Sequence, residues 1–139
     1  MSELRPFHLA IPVKKLEESR LFYREVMGFE EGRSSDKWVD FDFFGHQFVI
    51  HEVKSGSSES HNPVDGHRVP IPHFGVILHW KQWETLRDRL ITLRISFVVE
   101  PYIRFQGEVG EQATMFFQDP SGNSLEFKAF KNDSQIFAH

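Results

Sequence analysis

The stretch "PHFGVILHW" at residues 72–80 repeats an element that the chain uses earlier, "PFHLAIPV" at residues 6–13. Each is a short apolar run led by a proline, which predicts a buried strand. Each is followed by a segment with helical spacing, at 14–29 and 81–94, and then by three further strand-like runs. The sequence therefore predicts an α+β fold built from two βαβββ modules.

The length of the chain predicts a single domain spanning residues 1–139. Module one covers about residues 5–53 and module two about residues 71–130. The segment between them, residues 54–70, is rich in Ser, Gly, Pro and Asn and has no hydrophobic period, so it is interpreted as an irregular linker.

Composition excludes several classes of partner and site. The net charge is −4, the pI is about 6.0 and no basic tract is present, which argues against nucleic acid and anionic membranes. The chain has no cysteine, so a metal site would have to use its histidines and carboxylates. The apolar run near the N-terminus is too short for a signal peptide or a membrane span, and a cytoplasmic location is expected.

Two histidines occupy the same place in the repeat. Superposing the modules sets His8 against His73, each at the start of the first strand of its module. A single histidine there is more often a satisfied strand-edge residue. Its recurrence favours a shared role, because two modules packed around a pseudo-twofold axis would turn both imidazoles towards one cavity.

The last strand, "NSLEFKAF" at residues 123–130, adds a carboxylate. Glu126 lies between apolar residues, where a charge is costly unless it is paired or bound to a cation. A salt bridge to a nearby base such as Lys128 is one explanation. The other is a metal set of two histidines and one carboxylate, His8, His73 and Glu126, like that of non-haem Fe(II) oxygenases.

The segments "FHLAIPV" (7–13), "IPHFG" (71–75) and "DPSGNSLEF" (119–127) resemble the vicinal oxygen chelate superfamily. That group includes glyoxalase I, extradiol dioxygenases, fosfomycin-resistance transferases and bleomycin-binding proteins. The resemblance covers about residues 5–130 and implies a curved mixed β-sheet cup around a central site. It also implies that the two histidines and the glutamate are the metal ligands.

A finer resemblance is to a small family of predicted extradiol-type dioxygenases. It implies an enzyme that uses Fe(II) and dioxygen to cleave a small catecholic or vicinal-oxygen substrate, with Mn(II), Ni(II) or Zn(II) as alternative metals. Aligning residues 45–49 with 122–126 places Val49 opposite Glu126. Glyoxalase I has a fourth ligand there, so a glyoxalase-like lyase or isomerase is disfavoured. A Mn(II)-dependent thiol transferase of fosfomycin-resistance type and a non-catalytic small-molecule-binding protein stay as alternatives.

Five further residues are candidates for the site. His51 is a candidate proton acceptor, and Tyr102 a candidate donor to an oxygen at the metal. Arg104 would pair with a substrate carboxylate, and Gln112 and Met115 would line the pocket. Each also fits an ordinary surface or packing role. Superfamily members of this length often form homodimers, so sharing of the site between two subunits stays open.

Overall fold

The computed structural model of the protein describes residues 3–54 and 60–139. These residues cluster into two compact units. The first unit combines the N-terminal range with Asp119–Asn123, and the second contains the rest of the C-terminal range. The turn before the last strand therefore folds with the first half of the chain.

The first unit has the predicted order of strand, helix and three strands. Its elements are β1 (His8–Val13), α1 (Leu16–Leu21) with a π-helical turn (Phe22–Val26), β2 (Glu31–Ser34), β3 (Trp38–Phe43) and β4 (His46–Glu52). The strands form one sheet in the order β1-β4-β3-β2, with β1 parallel to β4 and the other pairs antiparallel. A parallel β1–β4 pair is what a βαβββ module requires, because the helix and two strands lie between them in sequence.

One face of this sheet forms the core of the first unit. The buried residues alternate along β3, at Val39, Phe41 and Phe43, as expected for a half-buried strand. In β4 three consecutive residues are buried: Phe48, Val49 and Ile50. Tyr23 of the π-helical turn is fully buried, and its ring lies 4.8 Å from that of Phe48.

Hydrogen bonds join the Asp119–Asn123 turn to the rest of the first unit, one of them buried. The Tyr23 hydroxyl donates to Asp119 Oδ2 over 2.8 Å, and the backbone N–H groups of Ser121 and Asn123 donate to Asp119 Oδ1. The Asn123 side chain donates to the Pro12 carbonyl at 2.8 Å. Asp119 is thus a structural carboxylate whose lone pairs are used locally.

The second unit repeats the order and adds a hairpin before it. Its elements are β5 (Ser60–Val64), β6 (His67–Ile71), β7 (His73–Phe74), β8 (Ile77–Leu78), α2 (Trp80–Thr92), β9 (Phe97–Arg104), β10 (Gln112–Gln118), β11 (Ser124–Phe130) and a short 3-10 helix (Asp133–Gln135). The main sheet has the order β7-β11-β10-β9, with β8 also paired to β11. Strands β7 and β8 run parallel to β11, and β10 is antiparallel to both of its neighbours.

The hairpin corrects the interpretation of the connecting segment as irregular. Residues 60–71 form two antiparallel strands joined at Asp65 and Gly66, and residues 55–59 of the predicted linker lie outside the described residues. An Asp-Gly pair between two short runs is a hairpin signal. The surrounding Ser, Pro and Asn residues gave the segment the composition of a loop, and the strands have an apolar side only at Val64 and Val69.

Helix α2 packs against one face of the main sheet of the second unit. The predicted apolar stripe is buried at Trp83, Leu86 and Leu90, and the Trp83 indole N–H donates to the Phe127 carbonyl at 2.8 Å. The strand side chains on that face are fully buried: Ala113, Met115, Phe117, Leu125, Phe127 and Ala129. None of the helices in the described chain has the length and apolar character needed to span a membrane.

Candidate metal centre

The second sheet brings two of the three predicted ligands together. Strand β7 lies parallel to β11 with His73 opposite Ser124, two residues before Glu126. The imidazole Nε2 of His73 lies 3.0 Å from Oε1 of Glu126. Two residues predicted as ligands from distant parts of the sequence are therefore in direct contact.

The ring of His73 is fixed on its other side. Its Nδ1 lies 2.7 Å from the backbone carbonyl of Pro70, which can only accept a hydrogen bond, so Nδ1 carries a proton. The Phe116 ring packs edge-on against the imidazole at 5.0 Å between centroids. A histidine that donates Nδ1–H to a carbonyl and presents Nε2 to a carboxylate has the orientation of a metal ligand.

Glu126 is held in the same way. The hydroxyl of Thr114 donates to Oε2, which leaves Oε1 to face the imidazole. The predicted alternative, a salt bridge to Lys128, is also present, but its Nζ–Oε2 distance is 3.9 Å. The carboxylate is therefore oriented mainly by Thr114 and His73.

Both members of the pair have shifted pKa values. The hydrogen bond to Glu126 raises the pKa of His73, against the effect of burial. Burial raises the pKa of Glu126, but the hydrogen bonds from His73 and Thr114 outweigh it, so this pKa lies below its usual value. Metal binding requires a neutral imidazole and an ionised carboxylate, so the two side chains would have to give up their direct contact to bind a cation together.

Gly75 allows the close approach of the two strands. A Cβ atom on this residue would lie 1.6 Å from the carbonyl oxygen of Glu126, so no other residue fits without displacement of the backbone. The predicted first strand of module two is accordingly split around it into β7 and β8. An isolated glycine within an apolar strand pattern was the sequence signal for this contact.

Cross-strand pairs identify the residues that share a side of the sheet with Glu126. Phe116 lies opposite Glu126, and Thr114 lies opposite both Lys128 and Tyr102. We call this side the Glu126 face; it comprises Tyr102, Arg104, Gln112, Thr114, Phe116, Glu126 and Lys128. Four of the residues predicted from the sequence, Tyr102, Arg104, Gln112 and Glu126, are thus on one surface.

The polar groups of Tyr102 and Arg104 converge on Asp65. The Tyr102 hydroxyl donates to Asp65 Oδ2 at 2.9 Å, and Arg104 Nε donates to the same oxygen. Burial and the hydrogen bond to Asp65 raise the pKa of Tyr102 to about 12. The hydrogen bonds from Tyr102 and Arg104 lower the pKa of Asp65. Nothing in the sequence linked Asp65 to these residues, because the contact depends on where the hairpin lies.

Gln112 and Met115 occupy opposite sides of β10. Gln112 lies on the Glu126 face and is buried; its Nε2 donates to the Gly110 carbonyl at 3.2 Å, and its Oε1 has no hydrogen-bond partner within the described residues. Met115 is fully buried opposite Phe127, on the side that α2 covers. Met115 therefore packs in the core and is not proposed as a site residue.

His8 and His51 lie in the first unit. His8 is exposed on β1 opposite Gln47, and His51 is exposed on β4 opposite Pro12. Since side chains alternate along a strand, Gln47, Val49 and His51 share one face of the sheet, and His8, which pairs with Gln47, lies on the same face. Val49 is buried on this face, whereas His8 and His51 are exposed. We call this side the His8 face.

The two units have the same strand register. His8 lies opposite Gln47, two residues before Val49, as His73 lies opposite Ser124, two residues before Glu126. This agreement supports the alignment in which a valine stands where module two has its carboxylate. In the parts of the chain that are described, no three His, Asp or Glu side chains form a cluster suited to a metal ion; His73 and Glu126 are in contact as a pair.

A profile of the Glyoxalase/Bleomycin resistance protein/Dioxygenase superfamily matches residues 5–127. The chain belongs to this superfamily. The resemblance to the vicinal oxygen chelate group and the predicted α+β fold of βαβββ modules are thereby confirmed. The finer resemblance to an extradiol-type family stays a prediction.

Solved structures of superfamily proteins share the fold over nearly the whole chain. A glyoxalase/bleomycin resistance protein/dioxygenase from Alicyclobacillus acidocaldarius is 33% identical, with a TM-score of 0.80 and coverage of 95% of this chain and 96% of that one. A fosfomycin resistance protein from Listeria monocytogenes is 20% identical, with a TM-score of 0.67 and coverage of 98% and 99%. A lactoylglutathione lyase from Agrobacterium tumefaciens is 18% identical, with a TM-score of 0.67 and coverage of 96% of each chain. Membership of the superfamily therefore does not identify the reaction.

Proposed function

We propose that the protein is a divalent-metal enzyme whose metal is held by His73, Glu126 and His8. The observation that carries the proposal is the orientation of His73, with Nδ1 on the Pro70 carbonyl and Nε2 on Glu126. His8 is proposed as the third ligand because it has the same register in its sheet as His73 has. It is supplied by the same chain or by a second copy in a homodimer.

We further propose that the reaction is extradiol cleavage of a small catecholic substrate. Val49 stands in the position where a fourth protein ligand would be needed, which favours a three-ligand site. With Fe(II) bound, such a site supplies Lewis acidity and open positions for two vicinal oxygens and dioxygen. In the overall reaction the ring bond beside the diol breaks and both atoms of dioxygen enter the product.

The chain's own residues have separate tasks in this proposal. His51 shares the His8 face and is the acceptor for a diol proton. Tyr102 and Arg104, on the Glu126 face, orient the substrate. An arginine has five N–H donors, and the contact with Asp65 uses Nε, so Arg104 retains donors for a substrate anion. The ammonium group of Lys128, near Glu126 on the same face, adds a second positive charge to that of Arg104.

The second candidate is metal-dependent group transfer of the fosfomycin-resistance type. A variant of the Listeria protein, 20% identical with a TM-score of 0.64, forms a complex with Mn(II) and 1S,2S-dihydroxypropylphosphonic acid. Arg104 and Lys128 suit a phosphonate as well as a carboxylate, because both anions accept charge-assisted hydrogen bonds. This observation favours the candidate over a non-catalytic binding role.

Metal analysis of anaerobically purified protein, followed by activity assays, separates the two reactions. We expect about one Fe(II) per chain, with oxygen uptake on a panel of catechols that falls roughly 100-fold or more in the Glu126→Gln variant. Glu84→Gln, on α2, is the matched control and should retain activity. Manganese dependence with thiol consumption on fosfomycin, and no oxygen uptake, would replace the first reaction by the second.

A further inference from the structure

The β5–β6 hairpin is anchored to the second sheet at its tip. Asp65 occupies the turn with a positive φ of 50° and accepts hydrogen bonds from Tyr102 and Arg104 of strand β9. The ring of His67, next to the turn, lies 5.0 Å from the Tyr102 ring. One carboxylate with two donors, one of them charged, is a strong fixing point for a two-stranded hairpin that would otherwise be marginal.

The other end of the hairpin reaches the candidate metal ligand. Val69 is buried in a cluster with Val99 and Phe116. Phe116 in turn packs edge-on against the His73 imidazole. The next hairpin residue, Pro70, is buried and supplies the carbonyl that accepts from His73 Nδ1. The hairpin therefore contributes both the hydrogen bond and part of the packing that fix this ring.

We propose that Asp65 is a positioning residue for His73: it fixes the hairpin to β9, and the hairpin holds the imidazole through Pro70. The inference rests on the proposed role of His73 as a metal ligand. Asp65 touches neither His73 nor Glu126 in this arrangement; its partners are Tyr102 and Arg104. Its effect on the metal centre is thus transmitted through the hairpin backbone and Val69.

Removing the charge of Asp65 tests this connection with little change in volume. In Asp65→Asn the amide oxygen can still accept from Tyr102 and Arg104, but the charge that strengthens both contacts, above all that with Arg104, is lost. The hairpin would then be held by these weaker hydrogen bonds, by Val69 and by its own strand pairing. We expect the imidazole of His73 to lose its fixed orientation in part of the molecules.

The probe is Co(II), titrated into the full chain and followed by its visible absorption spectrum. We expect Asp65→Asn to weaken Co(II) binding roughly 10-fold, the lower end of the effect of residues that orient metal ligands, and to alter the spectrum. Asp88→Asn is the matched control, because Asp88 forms a 2.9 Å ion pair with Arg87 on α2. It should leave both the affinity and the spectrum unchanged.

The outcomes separate this inference from the proposed function. If the wild-type protein binds Co(II) through His73 and Glu126 but Asp65→Asn binds it equally well with the same spectrum, the inference is overturned and the proposed function stands. If wild-type binding is absent or indifferent to His73→Ala, the proposed function is overturned first. Tyr102→Phe removes one donor to Asp65 without touching the carboxylate, and it should weaken binding less than Asp65→Asn. It provides the same test if the asparagine variant does not fold.

Discussion

At the scale of single residues, the candidate centre contains two proposed ligands whose side chains are each held by a hydrogen bond to a neighbouring residue. Pro70 fixes one ring nitrogen of His73, and Thr114 fixes one oxygen of Glu126, so Nε2 and Oε1 point at each other. The ligands themselves were predictable, because one recurs in the repeat and the other is a carboxylate in an apolar strand. Pro70 and Thr114 were not, because their roles depend on strand register.

Gly75→Ala should destabilise the protein by about 2–3 kcal/mol or more, because the new methyl group would meet the Glu126 carbonyl oxygen. Chemical denaturation monitored by circular dichroism measures the change. Gly32→Ala is the control, because its Cβ would lie 3.3 Å from Asp40 Cβ and needs a shift of only a few tenths of an ångström. Equal stability of the two alanine variants would contradict the close approach of β7 and β11 described here.

At the scale of secondary-structure elements, the sequence predicted the order of strands and helix in each module. Hydrophobic periodicity was sufficient where one face of an element is buried, as in β3 and α2. It failed for the β5–β6 hairpin, whose strands have few apolar residues and are held instead by Asp65 and Val69. Hydrophobic periodicity also could not predict contacts between elements, such as those of Arg20 on α1 with Glu31 on β2.

The Arg20–Glu31 pair gives the first unit a pH-dependent contribution to stability. Two hydrogen bonds from Arg20, at 2.9 and 2.6 Å, lower the pKa of Glu31, with a further contribution from Arg24. A carboxyl group whose pKa is lower in the folded state stabilises the protein above its unfolded pKa of about 4.3. That contribution is lost as the pH falls through the lower, folded-state value.

Glu31→Gln should therefore reduce stability by about 1 kcal/mol at pH 7, and the difference from wild type should shrink as the pH falls below about 4. Thermal unfolding of both proteins across this pH range measures it. Glu17→Gln is the control, since Glu17 contacts the same arginine at 3.2 Å but its side chain is 76% exposed. A difference for Glu31→Gln that is independent of pH would show that the ion pair is not its source.

At the scale of the whole molecule, the chain uses one βαβββ module twice, with the same parallel pair and the same register in each. The repeat was readable from the sequence, and superfamily membership confirms the fold it predicted. The reaction is harder to predict from the sequence than the fold, because proteins of this fold carry names as different as fosfomycin resistance protein and lactoylglutathione lyase. The function of a protein of this fold depends on the side chains of its site, which the fold itself does not determine.

The central claim is that His8, His73 and Glu126 together hold one divalent metal ion. Calorimetric titration of Mn(II) into the wild-type protein and into His8→Ala, His73→Ala and Glu126→Gln tests it most directly, with His139→Ala, an exposed histidine outside the strands and helices, as the control. We predict one site per chain, a loss of roughly 100-fold or more in affinity for each of the three ligand variants, and no change for the control. Wild-type affinity in any one of His8→Ala, His73→Ala and Glu126→Gln would contradict the claim that the three residues hold the metal together.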